Sequence, residues 1–289
     1  MFANFLMNGL INGSLIALLA LGFALVYNTT RVFHIAYAAL YTIAGYMMYL
    51  FFVIKAFPFS ISLLLVILIT CLLSMGMEYF VYKPLSKKGN PPNTLMISSI
   101  GMLILLINLL IVLFGNDPKI FPYQPLTSST FRIGNVAALP AISFLVNLGL
   151  ILIFFVLLKF SRLGIMIRSL RDNELMSGVF GVDTYRLRLF LFALSGAMVA
   201  VAAAFRSMDV GVNPHVGMPI FINAFVALVI GGIGRFEGPI FGAFILGILQ
   251  SLAEYFMDSQ WVVLFTFLIL ILFVIYKPEG LIPERQRAY

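Results

Sequence analysis

The charged side chains of this chain are concentrated in one segment, Lys159–Arg188, which lies between two hydrophobic runs. Its charged residues are, in order, Lys159, Arg162, Arg168, Arg171, Asp172, Glu174, Asp183, Arg186 and Arg188. The simplest reason for such a loop in an otherwise strongly hydrophobic chain is that a soluble partner docks on it. We therefore predict a docking segment. A positively charged anchor without a partner is the alternative.

The docking segment also carries signals for local structure. Gly164–Phe180 can form a short helix, and Gly181 is placed to end it. Asp172 lies four residues after Arg168, which is the spacing of a helical ion pair. The residues expected to share one face of this helix are Arg168, Arg171 and Leu175.

A second group of polar residues lies in or beside the hydrophobic runs. Polar side chains at lipid depth are costly unless they face protein or water. They indicate a translocation path, and hydrogen bonds between neighbouring helices are the simpler alternative. The candidates are Asn8, Asn12, Ser14, Thr29, Thr30, His34 and Asn223. Among them, a histidine has the chemistry to titrate near neutral pH.

Signatures of self-contained catalysis are missing from the sequence. There is no Gly-Lys dipeptide and hence no Walker A phosphate loop, and neither H-E-x-x-H nor G-x-S-x-G occurs. Glu78 and Glu254 lie near the ends of hydrophobic runs, whereas an ion-driven carrier usually needs carboxylates in mid-span. One cysteine and two distant histidines make a disulfide or metal site improbable. The sequence predicts a pathway with no catalytic residue, no metal and no cofactor of its own.

Membrane helices must position these residues, because 62% of the 289 residues are hydrophobic and only 10% are charged. An average soluble domain has about 25% charged residues, and a spanning helix needs ~20 apolar residues. We predict an all-α, polytopic transmembrane helical bundle in one domain, residues 1–289, with eight or nine spans and some broken or re-entrant helices. The predicted spans are Phe5–Tyr27, Ile35–Ile54, Ile61–Tyr82, Thr94–Phe114, Ala141–Leu158, Leu189–Phe205, Pro219–Ile233, Pro239–Met257 and Trp261–Tyr276.

The distribution of lysine and arginine predicts the orientation. Basic residues are concentrated in Lys83–Asn93, in Lys159–Arg188 and after Lys277, which places these three regions in the cytoplasm. Nine crossings then put the N-terminus outside, and eight put it inside. The largest external loop is Gly115–Pro140. This bias explains most of the net charge of +7 without any nucleic acid.

Four collinear regions resemble the permeases of branched-chain amino-acid ABC transporters. They are the opening (Asn8–Gly22 and Tyr27–Val32), the cytoplasmic coupling segment (Gly164–Asp183), the start of the next span (Phe192–Ala197) and the C-terminal signature (Ala224–Gly234, Gly238 and Lys277–Leu281). The regions extend over nearly the whole chain. Its length suits the shorter of the two permease types in these systems.

The resemblance implies a multi-pass subunit of the bacterial cytoplasmic (inner) membrane with a cytoplasmic C-terminus. It would move branched-chain or related amino acids inward. Its partners would be the lipid bilayer, two ATPase subunits that bind the ATP, a second and longer permease, and an extracytoplasmic solute-binding protein. Coupling to the ATPases would fall to a loop at 159–188, and within it to Arg168, Arg171, Asp172, Glu174 and Gly181.

The sequence also departs from the family pattern. His-Ile-Ala-Tyr-Ala-Ala at positions 34–39 stands where Asn-Phe-Ala-His-Gly-Glu is common, and Asn223 stands where a lysine is common. These changes bear on the cargo. Urea or a short amide is an alternative to an amino acid, because related permeases of this superfamily carry them. Two alternatives come from other classes, an ion-coupled secondary carrier and a structural or assembly subunit of the membrane.

Overall fold

The computed structural model describes residues 2–87, 92–121, 132–133, 136–256 and 261–282. Most of these residues are helical, and the strands among them form one antiparallel pair of two residues each. In chain order the elements are α1 (Phe2–Thr30), α2 (Tyr37–Met48), the π-helix π1 (Tyr49–Ile54), α3 (Phe59–Met77), the π-helix π2 (Glu78–Tyr82), α4 (Lys83–Lys87), α5 (Pro92–Phe114), β1 (Arg132–Ile133), β2 (Val136–Ala137), α6 (Ala138–Phe160), α7 (Arg162–Asp172), α8 (Glu174–Val179), α9 (Thr184–Val210), α10 (Gly217–Gly231), α11 (Gly238–Phe256) and α12 (Val262–Tyr276). The predicted all-α bundle is confirmed.

Apolar helices account for the predicted spans. Seven of the described helices are long and apolar enough to cross a membrane, and α10 and α12 are shorter apolar helices of 15 residues each. Each of these nine overlaps one predicted span, which confirms a polytopic bundle. The second and third spans are irregular, because α2 continues as π1 and α3 continues as π2.

Helix α1 is the central helix of the bundle. Its residues from Leu15 to Val26 are almost all buried, and it packs against α6, α9, α10 and α11. Its contact with α11 is backbone to backbone, since a Cβ added to Gly247 would lie 2.5 Å from the Cα of Gly13. Such glycine contacts let two helices approach and gain van der Waals energy in a membrane. A helix apolar on all sides suits this buried position.

The docking segment forms two short helices rather than the single predicted helix. Helix α7 ends at Asp172, and Asn173 adopts an extended backbone with φ of −160° before α8 begins. The Asn173 side chain caps α8 by accepting a hydrogen bond of 3.0 Å from the backbone N–H of Met176. Asparagine favours such caps because its side chain competes with the helical backbone hydrogen bonds. Gly181 has a φ of +82° just after α8, as predicted for a residue that ends a helix.

Several predicted boundaries lie outside the described residues. These are 88–91 of the predicted cytoplasmic loop 83–93, most of 115–140 between Phe121 and Ala138, Met257 at the end of the eighth span, and 283–289 of the C-terminal tail.

Candidate functional site

Two arginines of α7, Arg168 and Arg171, turn toward the bundle. Arg168 donates a hydrogen bond to the carbonyl oxygen of Leu158 in α6. Arg171 donates through Nη1 to the carbonyl oxygen of Gly234, at 3.0 Å, and its guanidinium carbon lies 5.9 Å from the ring centre of Phe236. Helix α7 is therefore tied to α6 and to the glycine-rich loop between α10 and α11.

The predicted pair between Asp172 and Arg168 was wrong. Asp172 Oδ1 lies 2.7 Å from Nη2 of Arg171, its sequence neighbour, and Arg168 is held by the α6 carbonyl instead. The single helical face predicted for the two arginines and Leu175 was also wrong, because the helix breaks at Asn173. Arg171 packs against the bundle, whereas the Leu175 side chain points away from it.

Helix α8 exposes apolar side chains next to charged ones. Leu175 is 83% exposed and Phe180, which follows the helix, is 84% exposed. Met176 and Val179 are exposed beside them. An apolar patch rimmed by polar residues marks an interaction surface. We call these four residues the α8 patch.

Buried charges connect α8 to the membrane helices. Arg188 in α9 donates through Nε to Oε1 of Glu78, at 2.8 Å, and through Nη1 to Oε1 of Glu174, at 3.3 Å. The Glu78 side chain is fully buried. The sequence reasoning gave Glu78 and Arg188 no role. The available signal was that an ionisable residue inside a predicted span, here Glu78, requires a partner.

His34 belongs to a buried network at the same end of the bundle. Its Nδ1 atom is hydrogen-bonded to the Tyr82 hydroxyl at 2.8 Å, and that hydroxyl donates to Ser99 Oγ at 2.9 Å. Complete burial lowers the pKa of His34 to about 3, since the charged imidazolium is denied solvation. His34 thus makes the kind of hydrogen bond between neighbouring elements that the simpler interpretation predicts.

Two of the predicted pathway residues meet at the opposite end of the bundle. Gln250 of α11 donates to Asn223 Oδ1 at 3.1 Å and to Thr266 Oγ1 at 2.7 Å, and Asn12 donates to Gln250 Oε1 at 3.3 Å. We call these four residues the amide cluster. Gln250 was missed, although a glutamine within a predicted span is the same kind of signal as the asparagines that were chosen.

A cavity of about 550 Å³ adjoins the amide cluster. Asn12, Asn223 and Gln250 line it together with aliphatic side chains from α1, α9 and α10. Its charged lining residues are Lys119, Arg206 and Glu254, and it is also lined by Tyr41 and His215. A cavity with both signs of charge and an aliphatic wall can take a small zwitterion with an aliphatic side chain.

The other predicted pathway residues do not line this cavity. Ser14 donates to the Ile11 carbonyl at 2.7 Å, while Thr29 and Thr30 donate to backbone carbonyls of their own helix. Asn8 is exposed near the start of α1, and His34 belongs to the network described above. Their pathway role stays a prediction. Among the described residues, no group of three His, Cys, Asp or Glu side chains is placed to hold a metal ion.

Comparison with known proteins gives consistent likenesses. Residues 5–275 match the family described as branched-chain amino acid transport system, permease component. The high-affinity branched-chain amino acid transport system permease protein LivH of Salmonella typhimurium is 27% identical over 99% of this chain and 98% of its own length. The permease protein BraD of Pseudomonas aeruginosa, from a system described in the same words, is 29% identical over 98% and 97%. The solved structure of PsaBC from Streptococcus pneumoniae in complex with Fab shares the fold, with a TM-score of 0.53 and 15% identity over 96% of this chain and 97% of that one.

Proposed function

The chain belongs to the family of branched-chain amino acid permease components, and we propose that it is the permease subunit of an ATP-driven importer for branched-chain amino acids. It is a multi-pass protein of the bacterial cytoplasmic membrane in this proposal. The names of its full-length relatives support the cargo. The aliphatic wall and mixed charge of the cavity suit that cargo better than urea, which has neither an aliphatic side chain nor separated charges.

The proposed partners are two ATPase subunits that bind ATP, a second permease and an extracytoplasmic solute-binding protein. The observation that carries the ATPase contact is the α8 patch, whose side chains are exposed although they are apolar. Arg168, Arg171 and Glu174 brace α7 and α8 against the bundle. A segment that is braced inside and apolar outside can receive movement from a docked partner and pass it on.

The cavity is the proposed outer entrance of the path. Helix α9 starts after α8 and ends at Val210, which lines the cavity, so the two sites lie at opposite ends of one helix. A helix of 27 residues is about 40 Å long. With the basic α7–α8 segment in the cytoplasm, the cavity faces outward and the tail after α12 lies inside.

Co-purification and transport test this function. The tagged chain, expressed with its neighbouring genes, is expected to bring down ATPase subunits and a second permease from membranes. Reconstituted with the binding protein, the complex is expected to take up leucine when ATP is supplied and not to take up urea. Uptake of leucine driven by a proton or sodium gradient without ATP would contradict the proposal and favour a secondary carrier. ATP-driven uptake of urea rather than leucine would refute the proposed cargo and leave the proposed importer in place.

A further inference from the structure

An ion triad with a buried centre joins three separate elements at the cytoplasmic end of the bundle. Arg188 of α9 lies between Glu78, at the start of π2, and Glu174, at the start of α8. Moving charges out of water costs several kcal/mol for each ion, and apolar replacements of buried pairs are often as stable. Stability alone therefore gives no reason for this triad.

The two arms of the triad differ in accessibility. The Glu78 side chain is fully buried, whereas 46% of the Glu174 side chain is exposed. Among the described residues, Oε2 of Glu78 and Nη2 of Arg188 are buried without a hydrogen-bond partner. Arginine carries its donors in a planar fork that matches both oxygens of a carboxylate. A shift of the guanidinium away from Glu174 would bring Nη2 of Arg188 onto Oε2 of Glu78, which would give the triad a second arrangement.

The Glu78 arm leads into the core through π2. π-helical turns are uncommon and often occur at functional sites. Glu78 is the first residue of π2, and Tyr82 is the last. The Tyr82 hydroxyl bonds His34, which lies in the link between α1 and α2. In that link Arg31 has a φ of +55°, a conformation that residues other than glycine rarely adopt.

We propose that Arg188 is a positioning residue that transmits movement of α8 to the junction of α1 and α2. When the ATPase subunits displace α8, Glu174 leaves Arg188, and the guanidinium closes on both oxygens of Glu78. The shift of Glu78 turns π2 and moves Tyr82 against His34. Helix α1 carries Asn12 to the cavity, so the movement reaches the cargo path. This inference rests on the proposed function, because it needs the ATPase subunits.

Glu174→Gln tests the exposed arm in the assembled transporter. ATP hydrolysis and leucine uptake are measured on the same proteoliposomes, and their ratio gives the uptake per ATP. We expect normal assembly and a two- to fivefold lower ratio, which is about the size of the contribution of a half-exposed ion pair. Asp183→Asn is the matched control, because it removes the charge of an exposed pair with Arg186 and keeps the helix cap. A ratio equal to that of the wild type in Glu174→Gln overturns the proposal.

Arg188→Lys tests whether Glu174 acts through Arg188. A lysine ammonium cannot hold two carboxylates in the geometry of a guanidinium fork, so this variant is also expected to lower the uptake per ATP. The double variant is expected to show no greater loss than Arg188→Lys alone, since linked residues are not additive. If the double variant loses uptake per ATP by the product of the two single losses, Glu174 does not act through Arg188. If Arg188→Lys does not assemble, Glu174→Gln decides alone. Absence of ATP-driven uptake by the wild-type complex overturns the proposed function and this inference together.

Discussion

Leu175→Ala is the sharpest perturbation of the proposed ATPase contact. The side chain belongs to the α8 patch and is 83% exposed in the isolated chain, so truncation removes little that holds the fold together. Docking of an ATPase subunit on α8 would bury it. The variant should therefore weaken binding of the ATPase subunit and leave folding unchanged.

The size of the effect follows from the exposed fraction. Replacement of leucine by alanine removes three carbon groups, each worth about 0.8 kcal/mol on burial. With 83% of the side chain available for burial, the loss is about 2 kcal/mol. That free energy corresponds to about 30-fold weaker binding.

The assay is a titration of the purified ATPase subunit onto the permease in lipid nanodiscs, with the dissociation constant as the readout. Leu152→Ala in α6 is the matched control, since it makes the same truncation at an exposed apolar position within a membrane span. The control should bind as the wild type does. Binding by Leu175→Ala within about twofold of the wild type would refute the assignment of the α8 patch as the docking surface.

Three further predictions concern packing, protonation and the cargo path. Gly247→Ala should lower the free energy of unfolding by about 1–3 kcal/mol, because its Cβ would meet the backbone of Gly13. Gly149→Ala, where a Cβ meets nothing within 4 Å, should be neutral or stabilising, and melting in detergent separates the two. Burial lowers the pKa of His34 to about 3 from 6.5, so the folded protein holds the neutral imidazole. The contribution of His34 to the free energy of unfolding is therefore complete above pH 6.5 and falls by about 1.4 kcal/mol per pH unit below it. In His34→Gln, the melting temperature should change less between pH 7 and pH 5 than it does in the wild type. Equal changes in the two proteins would contradict the lowered pKa of His34. Gln250→Leu should reduce leucine uptake severalfold with normal ATPase binding, because it removes the residue at the centre of the amide cluster. Unchanged uptake would show that the amide cluster is not part of the cargo path.

The spans were predictable because their signal is local. A run of ~20 apolar residues is required to cross a bilayer, and each such run became a helix. The boundaries of α9 were harder, since charged residues were taken to mark its ends. Leu189–Phe205 was predicted, and the helix is Thr184–Val210. Arg188 lies inside it and binds Glu78, 110 residues away, and a local pattern does not contain that distant residue.

The amide cluster was half predictable for the same reason. Asn12 and Asn223 were chosen as polar residues in apolar surroundings, which is a property of their own segments. Their meeting point is Gln250, which lies 238 residues from Asn12. The packing of α1 against α11, through the contact of Gly13 with Gly247, and the packing of α10 against α11 bring these side chains together. The break at Asn173, in contrast, had a local signal that the sequence reasoning passed over, since asparagine is a common N-cap.

Three of the five arginines in the predicted docking segment make contacts inside the bundle. Charge density indicated a partner, and the arginines were expected to meet it. In the structure Arg168, Arg171 and Arg188 are bound within the chain, to a carbonyl, a glycine loop and a buried carboxylate. The exposed arginines Arg162 and Arg186 lie outside α8, and the α8 patch itself is apolar. A contact of this kind depends on burial rather than on charge attraction, so added salt should weaken it little. Arg168, Arg171 and Arg188 hold α7 and α8 against the bundle, which is what the proposed coupling requires of them.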